Sequence, residues 1–444
     1  MSSKPNVLWI LTDQQRAETL SINGCQNAST PVLDGLARTG LNFTDAVSGF
    51  PLCCPYRGSL LTSRYPHHCV PGHEYRLPPE LPTVAHVFRE NGYDTFYLGK
   101  WHLDGAKEAQ ERAATHYIPR ERRGGFDSWL GYENNNAQYD CWLHGHRGAE
   151  EIPLFRLPGY ETDSLTDLLL EELRNHAGKG QPFFGVLSIQ PPHDPYVAPP
   201  RNQKGHTPAN IRFLPNVPQV SAIRERAAQE LSGYYAMVEN IDENVGRIVD
   251  CLNETGLMEH THIFYFSDHG DMHGSHGQFR KTTPYQEATH IPLIISGEER
   301  SPYNSRGVGN IPHVPVNHVD VAPTSLGLCG IPVPDWMEGT DYSALRFTGK
   351  PCPEYPSSAY LQSVIPTHHG DSVNKPWRGI VTTDGYKYVC LPGMDWMLYD
   401  LNQDPYEQVN MAHNDLYKAL RLRLREELRR WIEKTGDSFP LPEN

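Results

Sequence analysis

The stretch Val7-Leu-Trp-Ile-Leu11 is an uninterrupted apolar run, and it stops at the polar residues Thr12-Asp13-Gln14-Gln15. Three later runs have a similar form, at residues 95–98, 183–189 and 263–266, and each also ends in polar residues. A strand that is apolar at nearly every position is covered on both faces, as in a parallel sheet between layers of helices. The sequence therefore predicts an α/β fold with a large central, mostly parallel sheet.

A long amphipathic helix is predicted between the third and fourth runs, from about residue 222 to residue 252. Seven apolar residues recur there at spacings of three and four, which draws one stripe against the sheet. The stripe consists of Leu231, Tyr234, Val238, Ile241, Val245, Ile248 and Leu252. In open α/β sheets, ligands bind beyond the carboxyl ends of the strands. We therefore expect one site to contain the polar residues that follow the runs: Asp13, Lys100, His102, His193, Asp268 and His269.

The C-terminal part of the sequence has a different pattern. Two β-like pieces, 378–383 and 386–391, flank the turn signal Asp384-Gly385, which predicts an antiparallel hairpin. A charged amphipathic helix is predicted from about residue 413 to residue 434. Its apolar face would consist of Leu416, Leu420, Leu424, Leu428 and Trp431.

A proline-rich segment at 351–356 separates the two patterns. Proline and glycine clusters mark connections between elements. The chain of 444 residues is long enough for two or three domains at about 100–200 residues each. We expect a large α/β domain at 1–350 and a smaller α+β subdomain, containing an antiparallel sheet, at 351–444.

Composition excludes several classes of partner. Lys and Arg number 39 against 53 Asp and Glu, a net charge of −14, which disfavours nucleic acid and anionic membranes. No stretch approaches the roughly 20 apolar residues of a membrane helix, and no signal-peptide core follows Met1. The nine cysteines contain no C-x-x-C pair, which argues against a zinc module or a disulfide framework. We expect a soluble cytoplasmic protein; an exported form would require a longer precursor.

The segment Cys53-Cys-Pro-Tyr-Arg57 places a reactive side chain at a predicted helix start. Proline suits the first helical turn, so Cys53 would lie at the positive end of the helix dipole, with Arg57 one turn inside. Such a place stabilises an anion, either a thiolate or a bound oxyanion. The alternative is that the two cysteines are ordinary core residues and Arg57 is a surface charge.

The motif Cys53-x-Pro55-x-Arg57, followed by Leu60-Leu61-Thr62-x-Arg64, resembles the signature of the type I sulfatases of the alkaline-phosphatase superfamily. The resemblance covers nearly the whole chain, because further blocks match in the family's order. These blocks are 6–14, Gly99-Lys100-Trp101-His102, Pro192-His193, Ser267-Asp268-His269-Gly270 and Lys281-x-x-Pro284-Tyr285, followed near the end by Asp320-x-x-Pro323-Thr324, Gly330-Ile331-Pro332 and Tyr399-Asp400-Leu401-x-x-Asp404-Pro405. In that family a maturation enzyme oxidises the first cysteine to formylglycine, which here implies Cys53.

The resemblance also implies a divalent metal ion, usually Ca²⁺, whose ligands here would be Asp13, Gln14, Cys53, Asp268 and His269. Oxygen ligands suit Ca²⁺ or Mg²⁺. The family often has an aspartate where Gln14 stands, and the nitrogen of His269 is better tolerated by Mn²⁺ or Zn²⁺. The alternative for Asp268-His269-Gly270 is an ordinary strand-ending turn.

Six catalytic residues follow from the same resemblance: Cys53, Arg57, Lys100, His102, His193 and Lys281. The hydrated aldehyde would attack sulfur while Lys100, Lys281 and Arg57 spread positive charge over the sulfate oxygens. His193 or Lys281 would protonate the leaving oxygen. His102 would take the proton of the second hydroxyl, so that the diol collapses and expels sulfate. Viewed singly, these could be surface lysines and satisfied loop histidines.

The resulting hypothesis is a sulfuric ester hydrolase acting on an organic sulfate monoester. The alternatives are a phosphonate monoester or phosphodiester hydrolase, an aryl or choline sulfatase, and a non-catalytic binder of sulfated ligands if Cys53 stays unmodified. The resemblance also implies that the phosphonate enzymes carry neutral hydroxyl residues in place of the Lys-x-His pair, so Lys100 and His102 favour a sulfatase.

A carbohydrate sulfate is preferred because the segment from about 124 to 160 is rich in sugar-binding residue types, and we interpret it as a rim loop. Its members are Asn134, Asn135, Asn136, Tyr139, Trp142, His144, His146 and Arg147. His368 and His369 are further rim candidates.

Overall fold

The structure of the protein, a computed structural model, describes residues 4–297, 309–347, 353–368 and 373–443. Ten strands form one large sheet: β1 (Asn6–Thr12), β2 (Leu41–Phe43), β3 (Asp94–Lys100), β4 (Ser128–Tyr132), β5 (Trp142–Arg147), β6 (Glu150–Arg156), β7 (Phe183–Ser188), β8 (Thr261–Ser267), β9 (Leu293–Gly297) and β10 (Gly309–Ile311). Their order is β10-β2-β9-β8-β1-β7-β3-β4-β5-β6. The central strands β8, β1, β7, β3 and β4 are parallel, whereas β9, β5 and β6 pair antiparallel with their neighbours. The predicted large, mostly parallel sheet is confirmed.

Helices cover both faces of this sheet. The helices of the described residues are α1 (Pro31–Thr39), α2 (Cys53–Thr62), α3 (Val84–Glu90), α4 (Glu161–His176), α5 (Pro200–Gln203), α6 (Ser221–Glu254), α7 (Gln286–Thr289), α8 (Val321–Leu328) and α9 (Lys418–Lys434), and the last of them packs on a second sheet. In β1, Leu8 and Ile10 pack into one core and Trp9 into the other, and all are buried. The two layers therefore require apolar residues at the successive positions 7–11 of β1. All seven residues of the predicted α6 stripe are buried.

A second sheet of four antiparallel strands lies in the C-terminal region: β11 (Ser358–Ser363), β12 (Trp377–Thr382), β13 (Tyr386–Leu391) and β14 (Met394–Asp400). The predicted hairpin is the pair β12 and β13. Helix α9 packs on this sheet through Leu424, Leu428 and Trp431. The predicted boundary at 350/351 falls outside the described residues, and the division into two domains stays a prediction.

The predicted start of the last helix, at about residue 413, was wrong. The helix begins at Lys418, after a short 3₁₀ turn at Asp415–Tyr417. The Asn414 side chain caps this turn by accepting the amide hydrogen of Leu416. As a result the Leu416 side chain is 89% exposed and lies outside the apolar face.

The predicted rim loop at about 124–160 was also wrong over about half of its length. Its residues form β4, β5 and β6, which extend the edge of the large sheet. His144 is buried, and its Nε2 accepts the amide hydrogen of Ile118; buried His146 contacts Arg123. These histidines complete the packing of a sheet edge, a role that the sequence alone does not separate from sugar binding.

Only residues 133–141, between β4 and β5, remain as a loop at the carboxyl end of the sheet. His368 is exposed, and His369 lies outside the described residues. Within the described ranges, none of the helices has both the length and the apolar character needed to cross a membrane. The cytoplasmic location stays a prediction.

Candidate active site

The carboxyl ends of the central strands bring the predicted polar residues together. Asp13 follows β1, and Asp268 follows β8 one residue beyond the paired residues Thr12 and Ser267. Lys100 ends β3, and His193 follows β7. Hydrogen bonds and ion pairs connect nine of the ten predicted site residues: Asp13, Gln14, Cys53, Arg57, Lys100, His193, Asp268, His269 and Lys281. The tenth, His102, lies at the side of this cluster.

Cys53 is the first residue of α2, so its sulfur lies at the positive end of the helix dipole. Its Sγ lies 3.1 Å from His269 Nε2, 3.3 Å from Lys281 Nζ and 3.6 Å from Asp13 Oδ1. Burial raises the pKa of the Cys53 thiol to about 12. An unmodified Cys53 is therefore a protonated thiol and a poor nucleophile at neutral pH.

Two cations hold the carboxylate of Asp13. Lys100 Nζ lies 2.8 Å and Arg57 Nη2 lies 3.0 Å from Asp13 Oδ2. The same Arg57 nitrogen lies 3.2 Å from Asp268 Oδ2. Burial opposes ionisation of Asp13, but Lys100 and the other nearby cations hold the pKa of its carboxyl well below the usual range. Arg57 and Lys100 are not surface charges, the alternative considered above, because both side chains are buried.

Lys281 joins the cluster from the loop before α7. Its Nζ donates to Gln14 Oε1 at 2.9 Å and lies 2.9 Å from His193 Nε2. His193 Nδ1 lies 2.7 Å from the Asp194 carbonyl oxygen, so Nδ1 carries the hydrogen and Nε2 is free to accept from Lys281. Burial and the Lys281 charge lower the pKa of His193 to about 4, so the imidazole is neutral.

A network that the sequence did not reveal fixes the amide of Gln14. Its Nε2 donates to Asp271 Oδ2 at 2.7 Å, to the Tyr196 hydroxyl at 3.0 Å and to Asp194 Oδ1 at 3.3 Å. Because the amide nitrogen has these three acceptors, the amide oxygen must face Lys281. Asp271 stands only three residues after Asp268, and its charge was the one available signal.

His102 is a buried residue in the left-handed region, with φ of 55°. Its Nδ1 has no hydrogen-bond partner among the described residues. Burial and the Lys100 charge lower the pKa of His102 well below its usual value, so its imidazole is neutral and able to accept a proton. Glu133 accepts the amide hydrogens of the residues that follow, Leu103 and Asp104 included, and thereby holds the His102 loop. No motif in the sequence pointed to this role of Glu133.

The residues around Cys53 fit a divalent cation. Asp13, Cys53, Asp268 and His269 each offer one ligand atom, these atoms lie within 4.8 Å of one another, and all four residues are buried. His269 Nδ1 lies 2.9 Å from the Gly270 carbonyl oxygen, which leaves Nε2 as the free lone pair facing Cys53. Burial and the neighbouring Asp13 raise the pKa of Asp268 to about 7. A cation between the two carboxylates would relieve their repulsion.

The chain resembles known proteins in both sequence and fold. The family model Sulfatase matches residues 5–331, and the model N-sulphoglucosamine sulphohydrolase, C-terminal, matches residues 274–434. The chain is 34% identical over 444 residues to the ulvan-active sulfatase of Formosa agariphila, a match covering 98% of this chain and 83% of the relative. It is 26% identical over 522 residues to the N-acetylglucosamine-6-O-sulfatase of Bacteroides thetaiotaomicron, which covers 99% of this chain and 87% of the relative. The crystal structure of yidJ from Bacteroides fragilis superposes with a TM-score of 0.85 at 26% identity, covering 99% of this chain and 97% of its own.

Proposed function

The chain belongs to the sulfatase family of the alkaline-phosphatase superfamily, and from this premise we propose that it hydrolyses a sulfate ester of a carbohydrate. The names of its relatives support the substrate class: one is ulvan-active, and another is an N-acetylglucosamine-6-O-sulfatase. Because these relatives are named as sulfatases, they favour a sulfate ester over the phosphonate monoester or phosphodiester alternative. The family implies a metal ion and a formylglycine in general, and their place in this chain is part of the proposal.

The observation that carries the proposal is the surroundings of Cys53. Its sulfur lies within 3.6 Å of a carboxylate, an imidazole and an ammonium group, and Lys100 and Arg57 stand directly behind Asp13. Fixed positive charge of this density suits a transferring sulfuryl group, which builds up negative charge on its oxygens. In a protein with a net charge of −14, such a local cluster of cations favours an anionic ligand at this site.

We place formylglycine at position 53 and a divalent ion, Ca²⁺ rather than Mg²⁺ or Mn²⁺, at Asp13, Gln14, Asp268 and His269. When both are present, the aldehyde hydrate supplies the nucleophilic hydroxyl and the ion supplies positive charge beside it. Three of these four residues provide oxygen ligands, which is the preference of Ca²⁺. A formylglycine-generating maturation enzyme is therefore a required partner.

The remaining residues position charge and move protons. Lys281, at 2.9 Å from His193 Nε2, is placed to protonate the leaving oxygen, and His193 supports it as a neutral hydrogen-bond acceptor. Arg57 and Lys100 keep Asp13 ionised and oriented. His102, neutral and with an unpartnered Nδ1 among the described residues, is placed to accept the proton released when sulfate is expelled.

The test is sulfate release from a panel of sulfated mono-, di- and oligosaccharides by protein produced together with a maturation enzyme. We expect turnover of at least one saccharide sulfate, no turnover by Cys53→Ser, and normal turnover by the neighbouring variant Cys54→Ser. Aryl sulfate, choline sulfate and phenyl phosphonate esters belong in the same panel. Faster hydrolysis of a phosphonate or of choline sulfate than of every saccharide would refute the proposal.

A further inference from the structure

Cys54, directly after Cys53, faces a different group of side chains. Its Sγ lies 3.9 Å from His73 Nδ1. Ligand atoms of Cys54, His73 and His102 all lie within 4.8 Å of one another. Cys54 and His102 are buried, and the His73 side chain is 23% exposed. The cluster therefore has two fixed members and one member at the surface.

Charged and polar groups surround the two imidazoles of this cluster. His73 Nε2 lies 3.9 Å from Glu74 Oε1, on the opposite side of the ring from the nitrogen that faces Cys54. His102 brings a buried Nδ1 that lacks a hydrogen-bond partner in the described part of the chain. A buried polar atom of this kind calls for an explanation, such as an ion.

One sulfur and two imidazole nitrogens select a particular class of ion. Thiolate and imidazole bind Zn²⁺, Cd²⁺ and Co²⁺, whereas Ca²⁺ requires oxygen ligands. Bonds of about 2.0–2.3 Å in a tetrahedral site place the ligand atoms roughly 3.3–3.8 Å apart. The 3.9 Å between Cys54 and His73 is close to this value, so small side-chain shifts would complete the site. The His73 side chain is 23% exposed, which gives the ion a path from solvent to the site.

We propose that Cys54, His73 and His102 form a binding site for Zn²⁺ or a similar thiophilic ion, separate from the carboxylate site around Asp13. Binding would release the proton of the Cys54 thiol to solvent and form one metal–sulfur and two metal–nitrogen bonds. Lys100 does not block this ion, because its ammonium is paired with Asp13 at 2.8 Å. The carboxylate of Glu74 lies nearby and partly balances the added charge.

An ion at this site inhibits the enzyme, because it occupies the imidazole of His102. The inhibition rests on the proposed function, in which His102 accepts a proton. The binding of the ion to Cys54, His73 and His102 does not depend on that function. The site would therefore make sulfate ester hydrolysis sensitive to thiophilic metals even when the carboxylate site is saturated with Ca²⁺.

Binding is tested by Co²⁺ titration of the Cys53→Ser protein in excess Ca²⁺, so that neither Cys53 nor the carboxylates contribute. We expect a thiolate-to-Co²⁺ charge-transfer band that Zn²⁺ and Cd²⁺ abolish. The further substitution Cys54→Ser should remove the band, His73→Asn should weaken binding about 10–100-fold or more, and Cys25→Ser should leave the band unchanged. Absence of the band, or its survival in Cys54→Ser, overturns the proposal.

Inhibition is tested on the mature enzyme with Ca²⁺ present. Zn²⁺ should inhibit sulfate release by the parent, and Cys54→Ser should keep normal turnover while needing at least about tenfold more Zn²⁺ for the same inhibition. Equal sensitivity of the two proteins would refute the inhibitory role. An inactive parent that still shows the Co²⁺ band would refute the proposed function and leave the metal site standing.

Discussion

The substitution Asp271→Asn is predicted to weaken divalent-ion binding although Asp271 is not a proposed ligand. Asp271 Oδ1 accepts the amide hydrogens of His273 and Arg280, at 2.9 and 3.0 Å. In the variant, the amide oxygen must remain at that position, so the new NH₂ group takes the place of Oδ2 and faces the NH₂ group of Gln14. The Gln14 amide would then turn over, and its NH₂ group, not its oxygen, would face Lys281 and the ion.

The size of the effect follows from the loss of one oriented ligand. Removing the partner of a metal ligand typically lowers metal affinity about 10–100-fold, which corresponds to about 1.4–2.7 kcal/mol. Tyr196→Phe provides the matched control. This substitution removes another acceptor of the Gln14 amide but keeps Asp271. It should therefore weaken the free energy of ion binding by no more than one ordinary hydrogen bond, about 0.5–1.5 kcal/mol.

The assay is calorimetric titration of Ca²⁺ into proteins that carry Cys53→Ser, so that binding is measured without the modification or turnover. The double change Asp271→Asn with Gln14→Glu should recover most of the lost affinity. In that protein the new carboxylate at position 14 would accept a hydrogen bond from the new amide at position 271 and would still offer an oxygen to the ion. Unchanged affinity in Asp271→Asn, or weaker binding by the double variant than by the single one, would refute the reasoning.

Three other perturbations test the leaving-group acid, the ion and the C-terminal sheet. Lys281→Ala should lower kcat about 10²–10⁴-fold for saccharide sulfates, because it removes the proposed acid. The loss should be much smaller for aryl sulfates, whose leaving groups need less protonation. Initial rates on both substrates measure the difference, and equal losses would contradict the role of Lys281. Ca²⁺ should raise the midpoint of thermal unfolding of the Cys53→Ser protein, because the ion would relieve the repulsion between the carboxylates of Asp13 and Asp268. EGTA should reverse the rise. Identical melting curves with and without Ca²⁺ would contradict the proposed ion site. Asp437→Asn should lower the free energy of unfolding by about 3–5 kcal/mol in urea at pH 7, because it leaves buried Arg378 unpaired. Burial raises the pKa of Asp437, but the hydrogen bonds and charge of Arg378 outweigh burial and hold this pKa below its usual range. The ion pair therefore stabilises the fold fully above the unfolded-state pKa of about 3.9, and this stabilisation is lost as the pH falls toward the lower pKa of the folded state. The free energies of unfolding of the parent and of Asp437→Asn should therefore converge in acid.

The parallel sheet and the convergence of its strand ends were predictable from the sequence. Strand β1 is apolar at successive positions because Leu8 and Trp9 enter different cores, and that pattern is visible without a structure. The rule that ligands bind at the carboxyl ends then places Asp13 and Asp268 together.

What the sequence did not predict depends on contacts between distant segments. Tyr196 and Asp271 act on Gln14 across more than 180 residues of chain, and neither belongs to a recognisable spacing. His144 has the composition of a sugar-binding residue but fills a buried position at the sheet edge. Leu416 fits the helical period, yet a local cap at Asn414 delays the helix start.

The central claim is that position 53 is an aldehyde inside this pocket. Mass spectrometry of the peptide containing Cys53, from protein produced together with a maturation enzyme, measures it directly. The expected mass is about 18 Da lower than that of the unmodified peptide, with the change located at position 53 and not at 54. A peptide that retains two free thiols under those conditions would contradict the account.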